Sequence, residues 1–215
     1  MMNPGREEIL GRVRAALGRR ADSLVAPIPS SARVPPRQAG DADGEVAMLL
    51  GEIAKLGGNT ARLTHGELQP ALERLVQTEG VKKATLWQTR AMQDLGVMSM
   101  LASLGVEIVS PYSDKHELAD CELGVTGADG ALPETGTLLL CSSPEQPRMV
   151  SLLPRVHLAI IRPSGLHADV GPALAGMKGN DYMLFITGPS RTADIELTVT
   201  IGVHGPKSLH VWVME

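Results

Sequence analysis

Apolar positions recur at helical spacing near the amino end, where Ile9, Leu10, Val13, Ala16 and Leu17 share one face of residues 6–18 and Gly18 supplies a stop. Residues 21–40 break every period: Pro27, Pro29, Pro35 and Pro36 stand among Ser, Ala, Arg and Gln, a composition that predicts a linker rather than a regular element. A second amphipathic run follows Asp43, read as its cap, with Val46, Leu49, Leu50, Ile53 and Leu56 on one face and Gly57-Gly58 at its end. From there short β-rich runs alternate with helical ones. Strands are predicted at 61–64, 84–87, 106–109, 123–126, 137–141, 156–161, 183–187 and 209–213. Helices are predicted through Leu68, Leu72, Leu75 and Val76, over 90–103, ending at 118–121, and near 166–177. This alternation implies βαβ units and a mostly parallel sheet covered on both faces. The pattern therefore predicts an α/β domain over residues 41–215, preceded by a helix and Pro-rich arm over residues 1–40. It does not give the strand order.

Charge sharpens the division. Residues 1–40 carry seven Arg against Glu7, Glu8 and Asp22, so the arm is basic while the rest of the chain holds an acidic excess, for −4 overall. Such an arm is either a solvated surface or a docking segment for an acidic partner. The 215 residues are 43% hydrophobic, yet no apolar run approaches the length of a membrane span, and the first residues lack the apolar stretch of a secretory leader. These features predict a cytoplasmic protein. Phe185, Trp87, Trp212, Tyr112 and Tyr182 are the only aromatics, too few for a base-stacking platform, so no nucleic-acid partner is expected. Cys121 and Cys141 are too few and too far apart for a disulfide framework, a zinc site or a cluster site on this chain alone.

Several signatures fail. His116-Glu117 lacks a second histidine four residues on, the glycines at 124, 127 and 130 do not have dinucleotide-turn spacing, and no GxSxG elbow occurs. Three segments carry candidate chemistry. In residues 124–140, a glycine-rich turn leads through Pro133, Glu134, Thr135, Gly136 and Thr137 into an apolar strand; Glu134 is either a base or nucleophile at the strand mouth or a turn carboxylate bonded to local backbone. In residues 185–197, a strand ending at Thr187 turns through Gly188-Pro189 into an expected helix starting at Ser190 or Thr192. Ser190, Arg191 and Thr192 at that helix start suit a carboxylate or phosphate, with Asp194 offsetting the dipole or pairing with Arg191; a capped helix with a structural salt bridge is the alternative. In residues 202–213, His204 lies in a tight loop with Gly205-Pro206, placed either as a proton carrier or anion donor or as a turn histidine satisfied by backbone.

The sequences PETGT, SLLPRVHLAI (151–160), TGPSRTADIE and GVHGP, in this order, resemble the LUD-domain family, and the likeness extends over about residues 45–213. The resemblance implies a three-layer α/β/α fold like that of the NagB/RpiA/CoA-transferase group. It further implies a role in oxidising L-lactate to pyruvate within a three-protein complex whose other members carry the iron–sulfur clusters, this chain holding no redox cofactor and no metal. It assigns no catalytic residue. Glu134 and His204 are therefore catalytic candidates, and Thr135, Gly136, Thr137, Gly188, Ser190, Arg191, Thr192, Asp194 and Gly205 ligand-binding candidates, by their chemistry alone. Two other readings stand beside the subunit role. One is a stand-alone enzyme of CoA-transferase or isomerase type that uses Glu134 with an Arg191 anion site; the other is a non-catalytic anion-binding sensor or scaffold.

Overall fold

The structure is a computed structural model that describes residues 4–18, 35, 37–177, 182–193 and 199–215. The chain divides into two units, Met1–Pro35 and Pro36–Glu215. In the first, Ile9 and Val13 of α1 (Pro4–Ala16) and Leu17 just after it are exposed. The second unit holds the other elements: α2 (Ala42–Lys55), β1 (Asn59–Leu63), α3 (Leu68–Glu79), β2 (Lys83–Leu86), α4 (Arg90–Asp94), α5 (Val97–Ser103), β3 (Glu107–Val109), α6 (Lys115–Ala119), β4 (Leu123–Gly127), β5 (Gly130–Leu132), β6 (Thr137–Ser142), α7 (Met149–Leu152), β7 (Val156–Ile161), α8 (Val170–Gly176), β8 (Tyr182–Ile186), β9 (Arg191–Ala193), β10 (Val199–Ile201) and β11 (Ser208–Met214).

Six strands form a central, wholly parallel sheet in the order β1-β11-β7-β4-β2-β3, with helices packed against it. Every residue of β7 is buried, so both faces of the sheet are covered, as a parallel sheet requires. β6 and β8 do not join this sheet. With β5 they form a separate antiparallel sheet, β5-β6-β8. The reason is local: only the 3₁₀ turn Pro133–Thr135 and Gly136 separate β5 from β6, too short a link for a parallel crossover. Gly136 takes φ +61°, and a Cβ there would stand 2.9 Å from the backbone N of Ile53, so this turn lies directly on α2.

Other local differences from the sequence pattern have equally plain causes. The helix expected over 90–103 is broken at Gly96, whose left-handed φ of +68° separates α4 from α5. Asp41, not Asp43, caps α2 by accepting the Gly44 N–H at 2.8 Å, while Asp43 pairs with Arg62. The body also starts earlier than the composition suggests. Arg37 makes two hydrogen bonds to the nearly buried Glu45 carboxylate and donates from Nε to the Ala168 carbonyl at 3.1 Å. Where a helix was expected from Ser190 or Thr192, the chain instead forms strand β9, paired antiparallel with β10.

Candidate functional site

The segments 187–191 and 202–206 meet. The Ser190 N–H donates to the Pro206 carbonyl at 3.0 Å, and the Gly202 N–H donates to the Ser190 carbonyl at 2.9 Å. A Cβ on Gly205 would stand 3.3 Å from the Ser190 Cβ, so the two loops touch along their backbones. Beneath them lies a cavity of about 370 Å³, within the range that small-molecule sites occupy. Phe185, Leu152 and Leu209 give it apolar walls; Ser190, Arg191 and His204 bring polar groups to it. Arg191 and His204 are exposed at its rim, and the described lining residues include no carboxylate. One guanidinium, a hydroxyl and an imidazole without an opposing acid make a lining suited to an anion.

The cavity lies at the amino ends of the central strands. Its sheet contributions are His157 and Leu209, the second residues of β7 and β11, which are register partners on one sheet face. Gly124 of β4 continues that row, and a Cβ there would fall 1.9 Å from the Val150 carbonyl oxygen. Only glycine lets α7 lie so close to the sheet, and α7 carries Ser151 and Leu152 to the cavity. The sequence pattern alone puts the anion site beyond a strand carboxyl end, at a helix start. Thr187 does follow a strand carboxyl end, that of β8, but β8 is antiparallel and β9 replaces the helix, so no helix terminus contributes there. A second cavity, of about 360 Å³, lies at the carboxyl ends of β4, β7 and β11 between Asp129, Arg162 and Ser164. The Asp129 carboxylate there is already taken by the Cys141 N–H at 2.7 Å and the Gln146 amide at 3.2 Å.

The candidate residues thus fall into groups. Gly188, Ser190, Arg191, His204 and Gly205 line the first cavity. Thr192 lies outside it, opposite Thr200 in the β9–β10 hairpin, and Asp194 lies outside the described residues. Thr135, Gly136 and Thr137 do not line it but connect to it: Thr135 Oγ1 and Thr137 Oγ1 are 2.8 Å apart, and Thr137 Oγ1 is 2.8 Å from the Oγ1 of Thr187, a lining residue. Glu134 stands apart with its side chain 65% exposed, and its carboxylate lies 3.9 Å from Arg37 Nε. That guanidinium is already committed to Glu45, whose carboxyl it holds below the ordinary range, helped by the Gly40 N–H.

The sequence reading missed His157. It is 1% exposed, lines the cavity, and its Nε2 lies 2.8 Å from Thr126 Oγ1, while its Nδ1 has no partner. Burial pushes its pKa down to about 3, with His210 adding to the shift, so the ring is neutral at physiological pH. The signal was present as one polar residue in the otherwise apolar run Val156–Ile161. Both thiols are buried, and burial raises Cys121 to about 11 and Cys141 above its ordinary value; neither is poised as a thiolate ligand. Among the described residues no group of three or more His, Cys, Asp or Glu is placed to hold a metal ion, and no helix is long and apolar enough to cross a membrane.

Comparison with known proteins accords with this architecture. Lactate utilization protein C of Shouchella clausii is 32% identical over 76% of this chain and 76% of its own length. That of Halalkalibacterium halodurans is 30% identical over 93% of this chain and 90% of its own. An uncharacterized protein of Neisseria meningitidis serogroup B is 43% identical over 50% of this chain and 52% of its own. The crystal structure of a DUF162 family protein from Deinococcus radiodurans shares the fold, with a TM-score of 0.62 at 19% identity, over 82% of this chain and 100% of that one. The LUD domain model matches residues 47–214, a span that takes in the whole central sheet and both cavities, and the chain belongs to the LUD domain family.

Proposed function

We propose that this protein serves in lactate utilisation, as a component that works with iron–sulfur proteins in the oxidation of L-lactate to pyruvate. Its own contribution is to bind a small carboxylate in the cavity between residues 185–191 and 202–206, and the redox centres belong to its partners. The observation that carries this reading is the convergence of Arg191, Ser190 and His204 on a cavity whose described lining has no acid, in a chain similar to named lactate utilization proteins. The exposed Arg191 guanidinium gives a carboxylate a charged, two-pronged partner; the neighbouring hydroxyl and imidazole supply directional bonds, and the apolar wall accommodates a short carbon chain. In this reading the electrons from lactate pass to the clusters of the partner proteins.

The test has two arms. Titration of the protein with L-lactate and with pyruvate is expected to show saturable binding, and Arg191→Ala weakens it about tenfold or more, the scale of a lost charge-assisted hydrogen bond. Reconstitution with the iron–sulfur partners is expected to give L-lactate-dependent dye reduction that falls when this chain is left out. Equal lactate oxidation without the chain, or no association with those partners, would refute the subunit role.

A further inference from the structure

The cleft at the carboxyl ends of the central strands has chemistry of its own. The chain leaving β2 runs outward to β3, whereas the chain leaving the adjacent β4 runs the other way, through the small antiparallel sheet to β7. Connections that diverge in this manner open a crevice beyond the carboxyl ends of neighbouring strands, where parallel sheets take their ligands. The cavity of about 360 Å³ lies there, with Met92 and Leu95 of α4 on one side, Gly127 and Asp129 at the end of β4, and Arg162 and Ser164 just beyond β7. Gly127 and Ile160 are register partners, so they share one face of the sheet. A Cβ on Gly127 would stand 3.9 Å from Met92 Cε, which identifies that face as the one on which α4 lies. Arg162 has extended backbone angles, φ −99° and ψ 153°, and so continues the alternation of β7. Its side chain therefore leaves on the face of Ile160, the side of Met92. Arg162 is exposed, and its guanidinium has no hydrogen-bond or ion-pair partner among the described residues.

We propose that this cleft is a second ligand site, one that takes an organic monoanion with an apolar body. Arg162 supplies charge-assisted hydrogen bonds to the anionic end. Met92, Leu95, Ile160 and Met214 line the apolar part, and the two methionines, unbranched and polarizable, adapt to hydrocarbon of varied outline. Asp129 sets the limit on charge. Its carboxylate, held by the Cys141 N–H and the Gln146 amide, lines the same cleft, so a second negative group on the ligand meets repulsion there. The site is independent of the Arg191 cavity: the two lie at opposite ends of the central strands and share no lining residue.

Methyl spectra of the full chain, labelled with ¹³C at the methionine Cε, read the cleft directly once Met92→Leu and Met214→Leu assign those two signals. Titration with hexanoate is expected to move both signals saturably. Adipate, with the same carbon count and a second carboxylate, binds about fivefold or more weakly. Arg162→Gln weakens hexanoate binding about tenfold or more, and Arg162→Lys, which keeps the charge, recovers part of the loss. Because Arg162 is exposed and unpaired, both variants keep the wild-type melting temperature, so a lost response reports the site and not the fold. Arg191→Ala leaves the response at Met92 and Met214 unchanged, since Arg191 belongs to the other cavity. No saturable change at Met92 and Met214, or full hexanoate affinity in Arg162→Gln, overturns the site. A response lost in Arg191→Ala but kept in Arg162→Gln puts the ligand in the other cavity and overturns it as well. Adipate binding as tightly as hexanoate overturns the preference for a monoanion.

Discussion

At the scale of single residues, His157 links burial to pH. In the unfolded chain it titrates near 6.5; in the folded protein burial holds it near 3. Between those values the unfolded state binds a proton that the native state refuses, so stability is complete above about pH 6.5 and falls as the pH drops toward 3. The slope for one such group approaches about 1.4 kcal/mol per pH unit. Urea unfolding at pH 7 and pH 5 is therefore expected to show wild type losing about 2 kcal/mol more than His157→Gln; equal losses would mean the ring is protonated in the native state. Gly124, in the same row of the sheet, makes a second residue-level case. Gly124→Ala places a methyl against the Val150 carbonyl, and the protein is expected to lose about 3 kcal/mol or more as α7 is pushed off the sheet. Unchanged thermal unfolding of that variant would show that α7 does not lie where it is described. Both positions were visible in the sequence, but their roles were not. A histidine inside Val156–Ile161 signals a buried polar group, yet only the facing Thr126 and the overlying loops make it part of a cavity.

Among elements, the line of three hydroxyls from Thr135 through Thr137 to Thr187 joins the turn before β6 to the loop after β8. Because each hydroxyl supports the next, Thr137→Val and Thr187→Val are each expected to cost about 1 kcal/mol, and their effects to be non-additive in a double-mutant cycle by about 0.5–1 kcal/mol. Strict additivity would mean that the two segments are joined by packing alone. The same region shows where sequence pattern is sufficient and where it is not. β6, β7 and β11 are legible as apolar runs, since a strand buried on both faces needs little beyond continuous apolar residues; β8 is legible as an apolar run too, although its Tyr182, Met183 and Phe185 are exposed. β9 is not. Gly188-Pro189-Ser190 with acids to follow reads as a helix start, but the β-branched run Val199–Ile201 lies alongside and pairs antiparallel with Arg191–Ala193. Propensity at residues 190–193 lost to pairing with Val199–Ile201, and the candidate anion site is a loop cluster rather than a helix terminus.

The whole molecule is governed by pairings that no local window contains. β11, the last strand, inserts between β1, the first, and β7, so the sheet cannot close until the carboxyl end of the chain is in place. That insertion sets β11 beside β7 and brings Gly205 and Pro206 over the amino ends of the central strands, which is why the convergence of residues 188–191 with 204–206 was not readable from spacing. The boundary of the body is likewise a tertiary matter. Composition put it after residue 40, but Arg37 is tied to Glu45 and to the Ala168 carbonyl, so the cut must fall before it. Among the described residues, the main core cluster runs from Val46 to Met214. Removing residues 1–35 is therefore expected to leave the melting temperature within about 2 °C and the affinity for the cavity anion unchanged. Removing residues 1–40 deletes the Arg37 partner of a nearly buried Glu45 carboxylate, and the melting temperature should fall by about 4 °C or more, the effect of losing roughly 1–2 kcal/mol in a domain this size. If both truncations melt alike, Arg37 does not anchor the body. If the shorter deletion is already as destabilising, the basic arm contributes to the fold it precedes.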